Sequence, residues 1–221
     1  MINLRVGTIL PNNTQLIPEV DKCIQELKKC KKWNVTHQIA RGPEISKNYS
    51  EIVDENYNHP RLVTYPYDLL LIVDSDIVFT IDDVDKLIAH DVDIVSGCYT
   101  DRTVSSYYTA GYFRQNDQIA FFQKPSPPDN LASIVKKNII KAKTGLQVID
   151  WAGCGFLLIK QKVLKTIGFP WFLIEFNTIN NEGDIQYLGP DAYMCRKAKQ
   201  HGFQVYLDTS VVVKHLGVDP D

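Results

Sequence analysis

Residues 69–79 read LLLIVDSDIVF: an unbroken apolar run, then Asp-Ser-Asp, then three more apolar residues. A short apolar run with no polar positions is what a strand covered on both faces requires. Ionised carboxylates are poor strand formers and costly to bury unpaired, so the strand must end where Asp74 and Asp76 begin. This predicts an α/β layer structure in which the two acids mark the carboxyl end of a central strand. In open α/β sheets that end is where ligands bind.

The flanking sequence agrees with such a fold. NLRVGTIL (3–10) is a first strand, closed by Pro11-Asn12-Asn13, and Pro18 opens a helix whose apolar positions are Val20, Cys23, Ile24 and Leu27. NVTHQIA (34–40) is a second strand, residues 45–57 a weaker helix, 67–73 the central strand, 81–90 a short helix and 92–99 another strand. Strands alternating with helices predict a largely parallel sheet. Beyond residue 100 the character changes. Residues 106–113 and 118–123 read as an antiparallel pair, 124–130 as a loop, and 131–143 as a lysine-bearing helix or lid. LQVIDWAGCGFLLIK (146–160) reads as two strands or a bent one, followed by a short helix. GPDAYMCRKAKQHG (189–202) is a helix with Pro190 at its first position and Gly202 closing it, and QVYLD and VVVKHLG finish the chain as two strands. The expectation is one domain over 1–221, with a nucleotide-type half to about 100 and an antiparallel half beyond.

A net charge of −2 gives no support for broad nucleic-acid or anionic-membrane binding. No run of eighteen apolar residues is present, so no transmembrane helix is expected, and the start lacks the pattern of a signal peptide. Five scattered cysteines without a CxxC read as small reduced core residues of a cytoplasmic protein.

On an extended segment, side chains two residues apart point the same way, so the spacing aims Asp74 and Asp76 into one crevice. Two like charges held together repel unless a cation or donor-rich ligand lies between them. Hard oxygen ligands of this kind suit Mg²⁺ or Mn²⁺. The plainer alternative is a solvated turn with a helix-capping aspartate. Asp191 falls in the first turn of the Pro190 helix, where the helix dipole favours an ionised carboxylate. In WAGCGF, Gly153 and Gly155 permit close backbone approach to a ligand or an unusual turn, and Cys154 reads as packing rather than as a nucleophile.

LLLIVDSDIVF, DIVSGCYTDR, WAGCGFLLIKQKVLKTIGFPWF and GPDAYMCRKAKQHGFQVYLDTSVVVKHLG occur in an order that resembles nucleotide-sugar-dependent glycosyltransferases of the GT-A fold. The resemblance covers about residues 4 to 217. In compactness the chain is also similar to glycosyltransferase domains encoded by large algal viruses (chloroviruses), which would place it in a host cytoplasm, and it could form one domain of a longer polypeptide. The resemblance implies a GT-A-like single domain with a Rossmann-like, mostly parallel sheet and an antiparallel acceptor side. It implies a nucleoside diphosphate sugar donor, UDP-linked by expectation, and a carbohydrate or glycoprotein acceptor. It gives Asp76 as direct metal ligand, Asp74 as ribose contact or water-bridged ligand, and His215 as the completing ligand. Thr8, Leu10, Pro11 and Asn12 should bear on the nucleotide, with Arg41, Ser75, Gly153 and Gly155 as further donor contacts, and Arg102 near phosphate or acceptor. Asp191 becomes the catalytic base. The family commonly carries an acidic pair there, whereas this chain has Pro190-Asp191, so Asp184 and Glu182 are substitutes. Trp151 and Trp171 suit either sugar stacking or core packing.

Two other readings compete. DSDIV also fits the first motif of haloacid-dehalogenase-type phosphatases, in which Asp74 would be a nucleophile assisted by Mg²⁺. That family needs a later GDxxxD, and GDIQYL has Leu188 in the last place. The second is a non-catalytic nucleotide-binding domain.

Overall fold

The computed structural model describes residues 1–100, 107–113, 119–123, 145–179 and 185–217. Its centre is a seven-stranded sheet. In chain order the strands are β1 (Ile2–Leu10), β2 (Trp33–Arg41), β3 (Leu69–Val73), β4 (Ile77–Val78), β5 (Ile94–Cys98), β6 (Tyr107–Phe113), β7 (Ile119–Gln123), β8 (Leu146–Ile149), β9 (Trp151–Ala152), β10 (Phe156–Lys160), β11 (Glu175–Ile179), β12 (Ile185–Leu188), β13 (Val205–Val212) and β14 (Lys214–His215). The helices are α1 (Pro18–Lys29), α2 (Ile45–Val53), α3 (Ile81–Ala89), α4 (Gln161–Ile167) and α5 (Pro190–Gln200). The sheet order is β2-β1-β3-β10-β5-β13-β8. Strands β1, β2, β3, β5 and β13 run one way, while β10 and β8 run against them. The predicted α/β class and mostly parallel sheet are therefore present.

All five residues of β3 are buried, as their apolar run requires. Each such side chain is worth roughly 1.5–3 kcal/mol when fully buried, which fixes β3 at the centre. One face of the sheet packs Leu4, Val6, Leu71 and Val95 against Ile24 and Leu27 of α1 and Val84 and Leu87 of α3. The other packs Leu70, Ile72, Leu157 and Leu207 against α2, α4 and α5. Among the described residues no helix is long and apolar enough to cross a membrane.

Several elements differ from expectation. Helix α2 stops at Val53, not at 57, because the buried Asp54 carboxylate accepts the amides of Asn56, Thr64 and Tyr65 and folds the chain back. Burial alone would raise the Asp54 pKa, but those three amides outweigh it and lower it. Segment 146–160 is three strands in two sheets: β8 at one edge of the main sheet, β9 beside β6, and β10 between β3 and β5. The β6–β7 pair is antiparallel as expected. The antiparallel ribbon β11–β12 had no sequence counterpart. QVYLD and the following valines form one strand, β13, whose register shifts between Asp208 and Val212. The expected loop and lid at 124–143 lie outside the described residues.

Candidate active site

The carboxyl ends of β3, β5 and β13 and the amino end of the reversed β10 meet at one edge of the sheet. Phe156 pairs with Val73, so the Gly153–Gly155 turn sits beside Asp74, whose amide donates to the Gly155 carbonyl at 3.0 Å. Residues 74–77 form a turn, with the Ile77 amide donating to the Asp74 carbonyl at 3.2 Å. The extended geometry expected for Asp-Ser-Asp is thus replaced by a bend, and the two acids play different parts. Asp74 lines a cavity of about 220 Å³ together with Asp191, His215, Tyr49, Tyr99 and Cys154. Asp76 is only 5% exposed and lies against His215.

His215 reaches this place through β14, which pairs antiparallel with β4 so that His215 lies opposite Ile77. The Leu216 amide also donates to the Asp76 carbonyl at 2.8 Å. Nδ1 of His215 is 2.7 Å from the Thr100 carbonyl oxygen, and Nε2 is 3.3 Å from Asp76 Oδ2. A carbonyl can only accept, so Nδ1 carries the hydrogen. With the hydrogen on Nδ1, Nε2 turns its lone pair towards Asp76 Oδ2, the orientation of a metal-ligating imidazole. Neighbouring corners of an octahedron with bonds of about 2.1 Å are about 3 Å apart, so the observed spacing suits two ligands of one small divalent cation. Among the described residues no three His, Cys, Asp or Glu side chains form a ready-made shell. An ion held by these two side chains would complete its shell with non-protein ligands such as water, as is usual for Mg²⁺-like ions.

Asp191 stands in the first turn of α5, its Oδ1 accepting the Ala192 amide at 2.8 Å. Burial raises its pKa, against the lowering effect of the first-turn amides. Burial likewise raises the Tyr49, Tyr99 and Cys154 pKa values well above their ordinary ranges, so these walls are uncharged and Cys154 is no thiolate. Tyr49 also stacks on Phe172, with ring centroids 4.8 Å apart.

The remaining expected residues fall into three groups. Thr8 is fully buried with its hydroxyl 3.1 Å from His37 Nε2, and Leu10 is buried. These two side chains serve the interior, so only the exposed Pro11 and Asn12 of that segment face outward. Arg41 is exposed and donates to the Thr14 carbonyl at 2.5 Å, holding the β1–α1 loop. Ser75 is half-buried in the turn. A Cβ at Gly153 would lie 2.2 Å from the Tyr99 hydroxyl, and one at Gly155 2.6 Å from Tyr99 Cζ, so internal packing already demands both glycines. Trp151 and Trp171 are buried core residues. Leu188, where a dehalogenase-type phosphatase needs an aspartate, is buried in the core. Arg102, Glu182 and Asp184 lie outside the described residues. Sequence reasoning missed Tyr49 and Tyr99. Tyr99 was within reach, since it follows β5 as Asp74 follows β3; Tyr49 carried no signal beyond an apolar helix face.

No protein-family model and no curated protein matches the sequence. Solved structures do match the fold. A197 from STIV superposes with a TM-score of 0.57 at 17% identity, covering 97% of this chain and 86% of that one. GalNAc-T7, solved with UDP, GalNAc and Mn²⁺, superposes with a TM-score of 0.52 at 12% identity; the match covers 99% of this chain but only 45% of that protein. A glycosyltransferase involved in glycosylation of the major capsid of PBCV-1 is also found, with a TM-score of 0.36 at 10% identity over 76% of this chain. The chain has a GT-A-like fold.

Proposed function

We propose that this GT-A-like chain is a metal-dependent glycosyltransferase that moves a sugar from a nucleoside diphosphate, by preference UDP, to a hydroxyl of a glycan or glycoprotein. The observation that carries the reading is the meeting of His215 with Asp76 beside the cavity that holds Asp74 and Asp191. Asp76 and His215 would hold Mn²⁺ or Mg²⁺, with Asp74 binding the ion through water or the donor ribose. When bound, the ion supplies Lewis-acid neutralisation of the diphosphate leaving group.

Asp191 accepts the proton of the acceptor hydroxyl, a task suited to a carboxylate whose pKa is raised by burial. A base on the acceptor side is what inverting transfer needs. The uncharged walls Tyr49, Tyr99 and Cys154 keep water from the reacting centre, and low local polarity strengthens charge interactions within it. GalNAc-T7, of similar fold, was solved with UDP and Mn²⁺, which supports this choice of donor and ion.

The test is incubation with a panel of UDP-sugars and Mn²⁺, following UDP release with and without glycan acceptors. Donor-specific release that disappears on chelation supports the proposal. Metal-dependent hydrolysis of an aryl phosphate that Asp74→Asn abolishes would instead make the chain a phosphatase. UDP binding without hydrolysis or transfer would make it a binding domain.

A further inference from the structure

Strand β13 contains an irregularity with a specific consequence. Asp208 pairs with Gly97 of β5, but the next β5 residue, Cys98, pairs with Val212, so residues 209–211 are extra. An odd number of extra residues inverts which face each later side chain takes. Before the bulge the odd-numbered Val205 and Leu207 face the α2–α5 side; after it Val213 faces the α1–α3 side, as Val211 within the bulge already does. His215 follows Val213 by two residues, in β14, which leaves the main sheet to pair with β4, so the strand path set by the bulge leads straight to its place beside Thr100 and Ile77.

The bulge is held by named contacts. The Asp208 carboxylate is buried. Its Oδ1 accepts the Ser210 amide at 2.8 Å and the Ser210 hydroxyl at 2.6 Å, and its Oδ2 accepts from His90 Nε2, at the end of α3, at 2.7 Å. Burial works to raise the Asp208 pKa, yet Ser210 and His90 outweigh it and lower the pKa, so the carboxylate stays ionised. On the β5 side, a Cβ at Gly97 would lie 2.8 Å from Val211 Cγ1, so the bulge occupies space that only glycine leaves open. The chain leaves the bulge through the Val213 amide, which donates to the Cys98 carbonyl at 2.9 Å.

We propose that Asp208, Ser210, His90 and Gly97 are positioning residues that fix the β13 bulge and so aim His215 at Asp76. None of them lines the Asp74–Asp191 cavity among the described residues; they act through the strand that carries the imidazole. The proposal rests on reading His215 as a metal ligand, but its structural half can be measured without metal.

The experiment uses the whole chain with Ser210→Ala, Asp208→Ala, His90→Leu and His90→Gln. The first readout is the ring-nitrogen NMR signal of His215, assigned with His215→Ala, which reports the hydrogen on Nδ1 and its bond to Thr100. The second is Mn²⁺ affinity by electron paramagnetic resonance. The expected result is a displaced ring signal in the first three variants and a loss of affinity of about 10- to 100-fold, the range for residues that orient a metal ligand. His90→Gln, which keeps a donor for Asp208, should restore most of both. Folded Ser210→Ala and His90→Leu proteins with an unchanged ring signal overturn the proposal. If Asp208→Ala does not fold, those two variants still decide it. Wild-type protein that binds no Mn²⁺ overturns the metal reading instead, and the ring signal alone then decides the positioning claim.

Discussion

The Tyr99 hydroxyl accepts the Gly155 amide hydrogen bond at 2.8 Å, and its ring fills the space in which side chains at 153 and 155 would begin. The turn bordering the cavity is thereby tied to the end of β5 rather than left to a ligand to order. Gly155→Ala should cost about 1–3 kcal/mol through overpacking. Tyr99→Phe should cost about 1–3 kcal/mol by leaving a buried amide without its acceptor. Urea midpoints of the two variants check both values; an unchanged midpoint for Gly155→Ala would mean that the ring moves aside freely.

Asp76→Asn removes the carboxylate charge that faces His215 with little change of shape. The expected outcome is a loss of Mn²⁺-dependent UDP affinity greater than about 100-fold, beyond the range for residues that merely orient a ligand. Calorimetric titration of UDP with and without Mn²⁺ measures it, with circular dichroism confirming an unaltered fold.

Asp191→Asn separates catalysis from stability. Turnover should fall about 10²- to 10⁴-fold while UDP affinity stays unchanged, since the base acts on the acceptor. The raised Asp191 pKa means that the folded state holds this proton more tightly than the unfolded chain does. Its stabilising effect is complete at low pH and is lost as pH rises through the folded pKa, so ionised Asp191 opposes folding at neutral pH. The variant should therefore melt at a higher temperature than the parent near pH 7. The parent's turnover should fall with acid at a pH above the usual carboxylate range.

His37 makes the opposite case on the sheet edge. Burial, helped by Lys28, lowers its pKa from 6.5 to about 4. Below pH 6.5 the unfolded chain takes up a proton that the folded protein refuses, so stability is lost progressively as pH falls from 6.5 towards 4. His37→Gln should flatten that limb of the curve of urea midpoint against pH, leaving the limb above pH 7 unchanged.

How far the sequence discloses all this depends on how local each cause is. The β3 run and the helix of Pro18 are set by neighbours in sequence, and both are where periodicity puts them. The bend at 74–77 entered only as the plainer alternative to an extended segment, because it depends on the Gly155 carbonyl and on Leu216 reaching Asp76 from remote parts of the chain. The two glycines of WAGCGF were read as allowing close approach to a ligand or an unusual turn; the fold has a turn there, and the crowding atoms belong to Tyr99 and Thr109, contacts no spacing rule encodes. Thr8 was placed at the nucleotide by the resemblance, whereas its side chain is buried with the hydroxyl against His37. Asp191 and His215 were singled out through the resemblance, and only tertiary structure brings them to one cavity.

Because β14 is the last described strand and docks on β4, the Asp76–His215 pair is assembled from parts made far apart in time during synthesis. A ribosome that has released β1 through β10 has already delivered both aspartates and most of the sheet, but not the imidazole. A nascent chain at that stage can fold around its central strand while lacking the ring that faces Asp76. Under the proposed function, metal capture would wait until translation has passed residue 215.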